Sequence, residues 1–415
     1  MDRAPGFGGR RDLTAEPDHR VSAAAVFGAS LRLGLTSFGG PIAHIGYFRT
    51  EYVERRGWVD DERFADLLAL CQALPGPASS QLGIAIGTLK AGRLGGVAAW
   101  LGFTFPSAIV LVAVALLTAP ADLAGAGWVQ GLKLAAVAVV AQAVLVMWRG
   151  LAPDAARSLV VVAAAVLALA LPSPATQVAI IAAGAVVGFV LRHGADEAPA
   201  TPRTSLRGQR FAVACLALFV VLLVGLPLVR DALANQSVAL FDAFYRAGSL
   251  VFGGGHVVLP LLHETVVVPG WVGEDRFLAG YGAAQAVPGP LFTFSGFLGA
   301  STTIPPSGVP GAAIALVGIF LPSFLLVWGI LPFWNALRSW TGIRRALLGV
   351  NAAVVGLLLA ALITPVWTSA VGTVSDIAIA GVAVATLIGL RAPPIVVVAG
   401  CAVAAEILGR VAGPP

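Results

Sequence analysis

Thirteen apolar runs follow one another along the chain, at about 22–48, 64–88, 94–118, 128–148, 159–171, 176–191, 211–229, 239–262, 277–302, 310–332, 346–364, 371–389 and 394–409. A hydrocarbon core roughly 30 Å thick takes about 17–25 apolar residues of helix. Backbone in lipid must satisfy its own hydrogen bonds, so long apolar runs of this kind form helices. The fold class is therefore an all-α polytopic membrane protein. Charge agrees, because only 11% of the 415 residues are charged, against about 25% in a soluble domain. Residues 1–21 are polar and arginine-rich, without the apolar core and cleavage site of a signal peptide, and read as a cytoplasmic N-terminal tail.

The chain then repeats itself. Phe38-Gly39-Gly40 matches Phe252-Gly253-Gly254, Gly57-Trp58-Val59 matches Gly270-Trp271-Val272, and Arg63-Phe64 matches Arg276-Phe277. Gln72-Ala73-Leu74-Pro75-Gly76-Pro77 matches Gln285-Ala286-Val287-Pro288-Gly289-Pro290, and Pro106-Ser107 matches Pro322-Ser323. Two repeats, 22–191 and 236–410, are thus expected on either side of a polar linker at 192–210 and an unmatched helix at 211–230. One extra crossing between copies turns the second upside down and makes an inverted repeat.

Basic residues collect on the cytoplasmic side of membrane proteins, which tests that topology. With every run crossing and the N-terminus inside, the inside segments hold 17 Lys and Arg and the outside ones 6. The exception is 49–63, whose four arginines fall outside. If 22–48 and 64–88 instead turn back, with their second-half copies, the count becomes about 20 against 3. The broken runs therefore either cross or turn back, and the charges favour turning back.

Pro-Gly-Pro is what breaks them. A proline inside a helix costs about 3 kcal/mol, and two around a glycine stop the helix. About eleven residues stand on each side of the first break, or about 16 Å per arm, which places it near the bilayer midplane. Pro77 suits the first turn of the second arm, leaving the N–H groups of Ala78, Ser79, Ser80 and Gln81 free. A helix start with free donors and the positive dipole end attracts anions. Thr293 and Ser295 stand in the second copy. The plainer reading is a packing kink, supported by Gly83-x-x-x-Gly87. Duplicated breaks in corresponding positions favour a binding site.

Arg32 and Arg246 occupy one repeat position, six residues before Phe-Gly-Gly, inside apolar runs. Arginine there costs at least about 2.5 kcal/mol, so each needs an anionic partner. That partner is either a bound dianion held by two guanidinium forks or, for Arg246, Asp242 four residues earlier. The expected binding set is Arg32, Arg246, Gly39, Gly40, Gly253, Gly254, Gln72, Pro75, Gly76, Pro77, Ser79, Ser80, Gln285, Pro288, Gly289, Pro290 and Thr293. His44, His256, His263 and Glu264 follow the glycine breaks as candidate proton carriers, with purely structural roles as the alternative. Lys133 is read as snorkelling to the interface.

Other chemistries find no support. Cys71, Cys215 and Cys401 are scattered in apolar surroundings, which suggests neither a disulfide framework, a metal site nor a redox pair. No Gly-x-x-x-x-Gly-Lys-Ser/Thr loop, dinucleotide-binding pattern or nucleic-acid-binding feature is present, so no cofactor is expected and the chain is not read as an enzyme. On Phe38-Gly39-Gly40-Pro41, the Gly57-Trp58 loop, Gln72 to Pro77 and their copies, the chain resembles the chromate ion transporter family in its long, two-domain form. The resemblance implies secondary export of chromate from a bacterial cytoplasm across the inner membrane, conferring resistance, with sulfate as a competitor. Alternatives are a sulfate importer or exchanger and an anion channel. The lipid bilayer is an expected partner, and a homodimer is left open. Gly255 in place of Pro41, and Leu291 and Phe292 in place of Ala78 and Ser79, make two unequal half-sites the expectation.

Overall fold

The computed structural model describes residues 21–38, 40–118, 126–191, 209–252, 257–334, 341–390 and 392–412. The tail at 1–20, most of the linker, and Gly39, Gly253, Gly254 and His256 lie outside them. Every regular element among the described residues is helical. Five helices, Ala78–Leu117, Gly127–Leu151, Gln209–Leu233, Gly308–Phe333 and Arg345–Ala370, are long and apolar enough to cross a membrane.

The first run is not one helix. It is α1 (Ala23–Thr36) and α2 (Gly40–Arg49), the latter continuing as a π-helical turn over Thr50–Arg55. Then come α3 (Asp61–Ala73) and α4 (Ala78–Leu117), with Pro-Gly-Pro between them. Non-helical backbone at Ala91 and Gly92 divides α4 into a short arm, 78–90, and a long one, 93–117. The two arms fold back on each other because Gly87 and Gly95 lack side chains, so each backbone rests on the other's carbonyl. Gly299 and Gly311 make the same contact in the second repeat.

Contacts fix the direction of each piece. The Val21 amide donates to the Lys90 carbonyl at 3.2 Å, so α1 starts where the short arm of α4 ends. His44 meets Ser79 at 3.4 Å, and the Phe48 ring lies under Gly83, so α2 runs parallel to that arm and back toward the same end. Tyr52 accordingly reaches Ser30, hydroxyl to hydroxyl at 2.9 Å. Arg49 then holds Asp61 at the start of α3 at 2.7 Å. Both α1–α2 and α3 with the short arm therefore enter and leave by one end of the bundle. The broken segments turn back, as the arginines of 49–63 require.

Helices α5 (Gly127–Leu151), α6 (Ala155–Ala170) and α7 (Pro174–Leu191) complete the first repeat. Next, α8 (Gln209–Leu233) starts at the Val21 end, where the Arg93 guanidinium stacks 3.5 Å from the Phe211 ring. Its 25 residues span about 37 Å. Val213, Val220, Val221, Val224 and Leu228 are exposed along it, which suits lipid.

The second repeat then starts from the opposite end with α9 (Gln236–Leu250), α10 (Val258–Leu262) running into a π-helical turn at His263–Val267, and α11 (Glu274–Ala286). A 3-10 turn at Leu291–Thr293 leads into α12 (Phe294–Ala300), and α13 (Gly308–Ile330) returns to the first end, where the Trp328 indole donates to Thr88 at 3.0 Å. Arg276, the copy of Arg63, sits at the far end and donates to the carbonyls of Ala115 and Thr118 at 2.6 and 3.2 Å. The repeats are thus inverted. Helices α14 (Thr341–Ala361), with a π-helical turn at Leu362–Trp367, α15 (Val374–Ile388) and α16 (Pro394–Ala412) close the bundle. Its core joins both halves, with Leu111, Val137 and Val161 packed in one cluster with Phe244, Phe277 and Phe320.

Candidate functional site

The tips of the four turned-back segments meet and exchange backbone hydrogen bonds. Gly76 N–H donates to the Val251 carbonyl at 2.6 Å, and Gly289 N–H donates to the Ser37 carbonyl at 3.0 Å. Ser37 and Val251 are the extended residues that end α1 and α9, one in each repeat. Each Pro-Gly-Pro is therefore tied to the first hairpin of the other half, related by the inverted symmetry.

Glycine is required at both crossings. Gly76 and Gly289 have φ of 120° and 110°, a region that side chains rarely adopt. A Cβ on Gly76 would lie 2.6 Å from Gln81 Nε2 and 2.9 Å from Ser323 Oγ, and one on Gly289 would lie 2.7 Å from Ser107 Oγ. Ser107 and Ser323 follow the matched prolines Pro106 and Pro322 inside α4 and α13. Sequence reasoning noted this Pro-Ser pair as part of the repeat but did not place it at the breaks.

The expected helix-start donors are only partly free. Pro77 is the residue before the helix, and Gln81 N–H is already used, donating to Pro77 O at 2.9 Å. Helix geometry leaves the amides of Ala78, Ser79 and Ser80 without an intrahelical acceptor. Gln81 folds its side chain back to the Pro75 carbonyl at 2.6 Å, closing off the break. In the second copy Thr293 turns its hydroxyl onto Pro290 O at 2.8 Å, and a 3-10 turn replaces the first turn of helix. The two half-sites are unequal.

Buried polar atoms collect on these elements. Ser37, Ser80 and Ser295 hydroxyls, Thr104 Oγ1, Gln81 Oε1 and Gln285 Nε2 have no hydrogen-bond partner among the described residues. Such atoms are rare in folded proteins and each calls for a reason. Ser37, Gly40, His44, Gln285 and Gly289 share a cavity of about 20 Å³ in which no acidic side chain takes part. That volume suits one water-sized group, so a larger guest requires the tips to separate.

Arg32 and Arg246 do not line this cavity. Arg246 is bonded to the buried Asp242 at 3.1 Å, and Arg230 reaches the same carboxylate at 3.3 Å. Its anion is a side chain one helical turn away. Arg32 is exposed and lines a groove of about 630 Å³ between α1 and α2, with Thr36, Tyr47, Thr50, Glu51 and Arg55. Gln72 is exposed on α3, whereas its copy Gln285 reaches the cavity, because the two helices present different faces. His44 is buried, edge-on to Phe103 with ring centroids 5.4 Å apart. Lys133 does not snorkel freely: it is 9% exposed and pairs with Asp275 at 2.9 Å. Glu264 and His263 line a separate cavity at the opposite end.

Comparison with known proteins gives this geometry its context. The family described as chromate transporter matches residues 24–189 and 238–405, one match per repeat. A chromate transport protein of Pseudomonas aeruginosa is 31% identical over 344 residues, covering 80% of this chain and 78% of that one. A probable chromate transport protein of Synechococcus elongatus is 30% identical over 336 residues, 80% of this chain and 82% of that one. An uncharacterized transporter of Bacillus subtilis is 32% identical over 162 residues, 38% of this chain but 89% of its own length, so it corresponds to about one repeat. No solved structure matches the chain. With one match in each repeat, together covering most of the chain, the chain belongs to the chromate transporter family.

Proposed function

We propose that this protein is a secondary transporter that carries chromate out of the bacterial cytoplasm across the inner membrane, conferring resistance. The observation that carries the reading is the reciprocal pair of bonds, Gly76 to Val251 and Gly289 to Ser37. It joins two oppositely oriented hairpin sets at one point, and symmetric elements of this kind alternate which end is open. The unpaired Ser37 hydroxyl and Gln285 amide supply donors there, and no carboxylate in the cavity lining competes for them. A tetrahedral dianion fits such a donor set. Sulfate has the same shape and charge and is the expected competitor.

Charge supports this direction. The Val21 end carries Arg49, Arg55, Arg56, Lys90 and Arg93, a basic excess that supports a cytoplasmic face there. Arg32, exposed on the wide groove there, draws dianions toward the hairpins, while Arg55 on the same groove is paired with Glu51. An inside-negative potential drives a dianion outward with about 4.6 kcal/mol per 100 mV, twice the single-charge value. The closed crossing favours a carrier over an open pore.

The test uses proteoliposomes with labelled chromate and an imposed potassium-diffusion potential. Saturable accumulation that sulfate inhibits and that unlabelled chromate on the far side accelerates supports the reading. Flux that neither saturates nor responds to chromate on the far side overturns it in favour of a channel.

A further inference from the structure

Two of the three π-helical turns stand at the same repeat position, and each carries a glutamate near its start, Glu51 in Thr50–Arg55 and Glu264 in His263–Val267. Short π-helical segments are frequent at functional sites. The two glutamates have opposite circumstances. Glu51 is 4% exposed and clamped by Arg56 at 2.7 Å and Arg55 at 3.3 Å. At the positions matching those arginines the second repeat has Val268 and Pro269. No ion pair or hydrogen bond to Glu264 is present among the described residues.

Glu264 faces a cavity of about 280 Å³ at the end opposite Val21, closed by α6, α7, α10 and α14. His263 and Glu264 are the ionisable residues lining it, and His263 is bonded through Nε2 to Glu274 of α11 at 2.8 Å. The lining from α6, α7, α14 and its π-helical turn is uncharged. Gln177 also lines it, 8% exposed, with its Oε1 lacking a partner. A carboxylate without a cation in a largely apolar cavity is relieved by taking a proton. The neutral acid then offers an O–H to a cavity that also holds the unpartnered Gln177 Oε1.

We propose that Glu264 is the proton-binding group of this transporter, loaded from the face opposite the N-terminal end. It takes one proton from water onto a carboxylate oxygen and returns it to water in the turnover that moves the anion. Its repeat mate Glu51 is instead clamped by two arginines, so the inverted pair is unequal at this position as well. The inference rests on the transport reading above.

Two variants test it, Glu264→Gln and Val268→Arg, the second restoring at an exposed position the clamp of the first repeat. In proteoliposomes at zero potential, a difference of about one pH unit drives about a tenfold chromate ratio in a one-proton carrier. Both variants are expected to reduce that ratio to about one while chromate–chromate exchange continues, which shows that they are folded. Accumulation as in the wild type by both variants overturns the inference. Infrared difference spectra across the same pH change give a readout independent of transport. A protonated-carboxyl band in the wild type that Glu264→Gln lacks supports it, and an unchanged band overturns it. A wild type that shows the band but moves no chromate refutes the transport reading instead.

Discussion

Gly76 and Val251 belong to opposite repeats, yet the amide of one meets the carbonyl of the other at 2.6 Å, and Gly289 and Ser37 repeat the bond at 3.0 Å. Each hairpin tip is held by the half it does not belong to. Opening one end of the molecule means breaking one of these bonds or carrying both partners together. The crossing is thus both the place where polar atoms lack partners and the hinge that has to yield.

Gly289→Ala is expected to reduce chromate flux strongly. The substitution forces a side chain into φ of 110° and against Ser107 Oγ, a strain of at least about 1–2 kcal/mol. Ser107→Gly in the same chain removes the collision but not the backbone strain, so flux and thermal midpoint recover in part. Gly76→Ala is the counterpart in the first repeat, where Ser323→Ala removes only one of two collisions, because the added Cβ also meets Gln81 Nε2 at 2.6 Å. Flux and midpoint unchanged in Gly289→Ala would remove the crossing from the mechanism.

Arg246→Ala leaves the buried Asp242 with Arg230 alone. Breaking a buried pair is costly, and discounting for the half-exposed arginine gives a loss of about 1–2 kcal/mol. Removing the carboxylate as well, with Asp242→Asn, restores most of that stability. If Arg246 serves packing, the double variant transports chromate with an unchanged KM, measured from initial rates. A KM that stays raised assigns Arg246 to the anion.

Arg32→Ala has a different signature. Its side chain is exposed on the groove and has no ion pair among the described residues. The thermal midpoint should not move, whereas KM for chromate rises several-fold at low ionic strength and the difference fades as salt screens the groove. An equal rise at all salt concentrations would indicate direct contact with the anion.

These outcomes separate what the sequence discloses from what it hides. Proline and glycine act on their own backbone, so Pro75-Gly76-Pro77 and its copy mark the breaks without any knowledge of the fold. Arginine placement in 49–63 likewise reports the turn-back, because charge sorts to one side of the bilayer. The partners of the breaks are another matter: Val251 and Ser37 offer only carbonyls, and every residue has one. Gln72 and Gln285 read alike, yet one is exposed and the other reaches the cavity, since the face a helix presents depends on neighbours far along the chain. Asp242 and Arg246 lie one turn apart, a pairing visible in the spacing and confirmed at 3.1 Å.

Side-specific labelling decides the topology on which the mechanism rests. Arg56 follows the first hairpin and the exposed Leu94 follows the second, whereas Val268 and Ile304 are exposed at the opposite end. Single cysteines at these four positions can be read against the native background, because Cys71, Cys215 and Cys401 are buried. In intact spheroplasts a membrane-impermeant maleimide should label Val268→Cys and Ile304→Cys, and should reach Arg56→Cys and Leu94→Cys only after lysis. Were the segment 64–88 a full crossing, Arg56→Cys and Leu94→Cys would fall on different sides. The tips would then be points along through-running helices, and the reciprocal glycine bonds would no longer join two hairpin sets that open by turns.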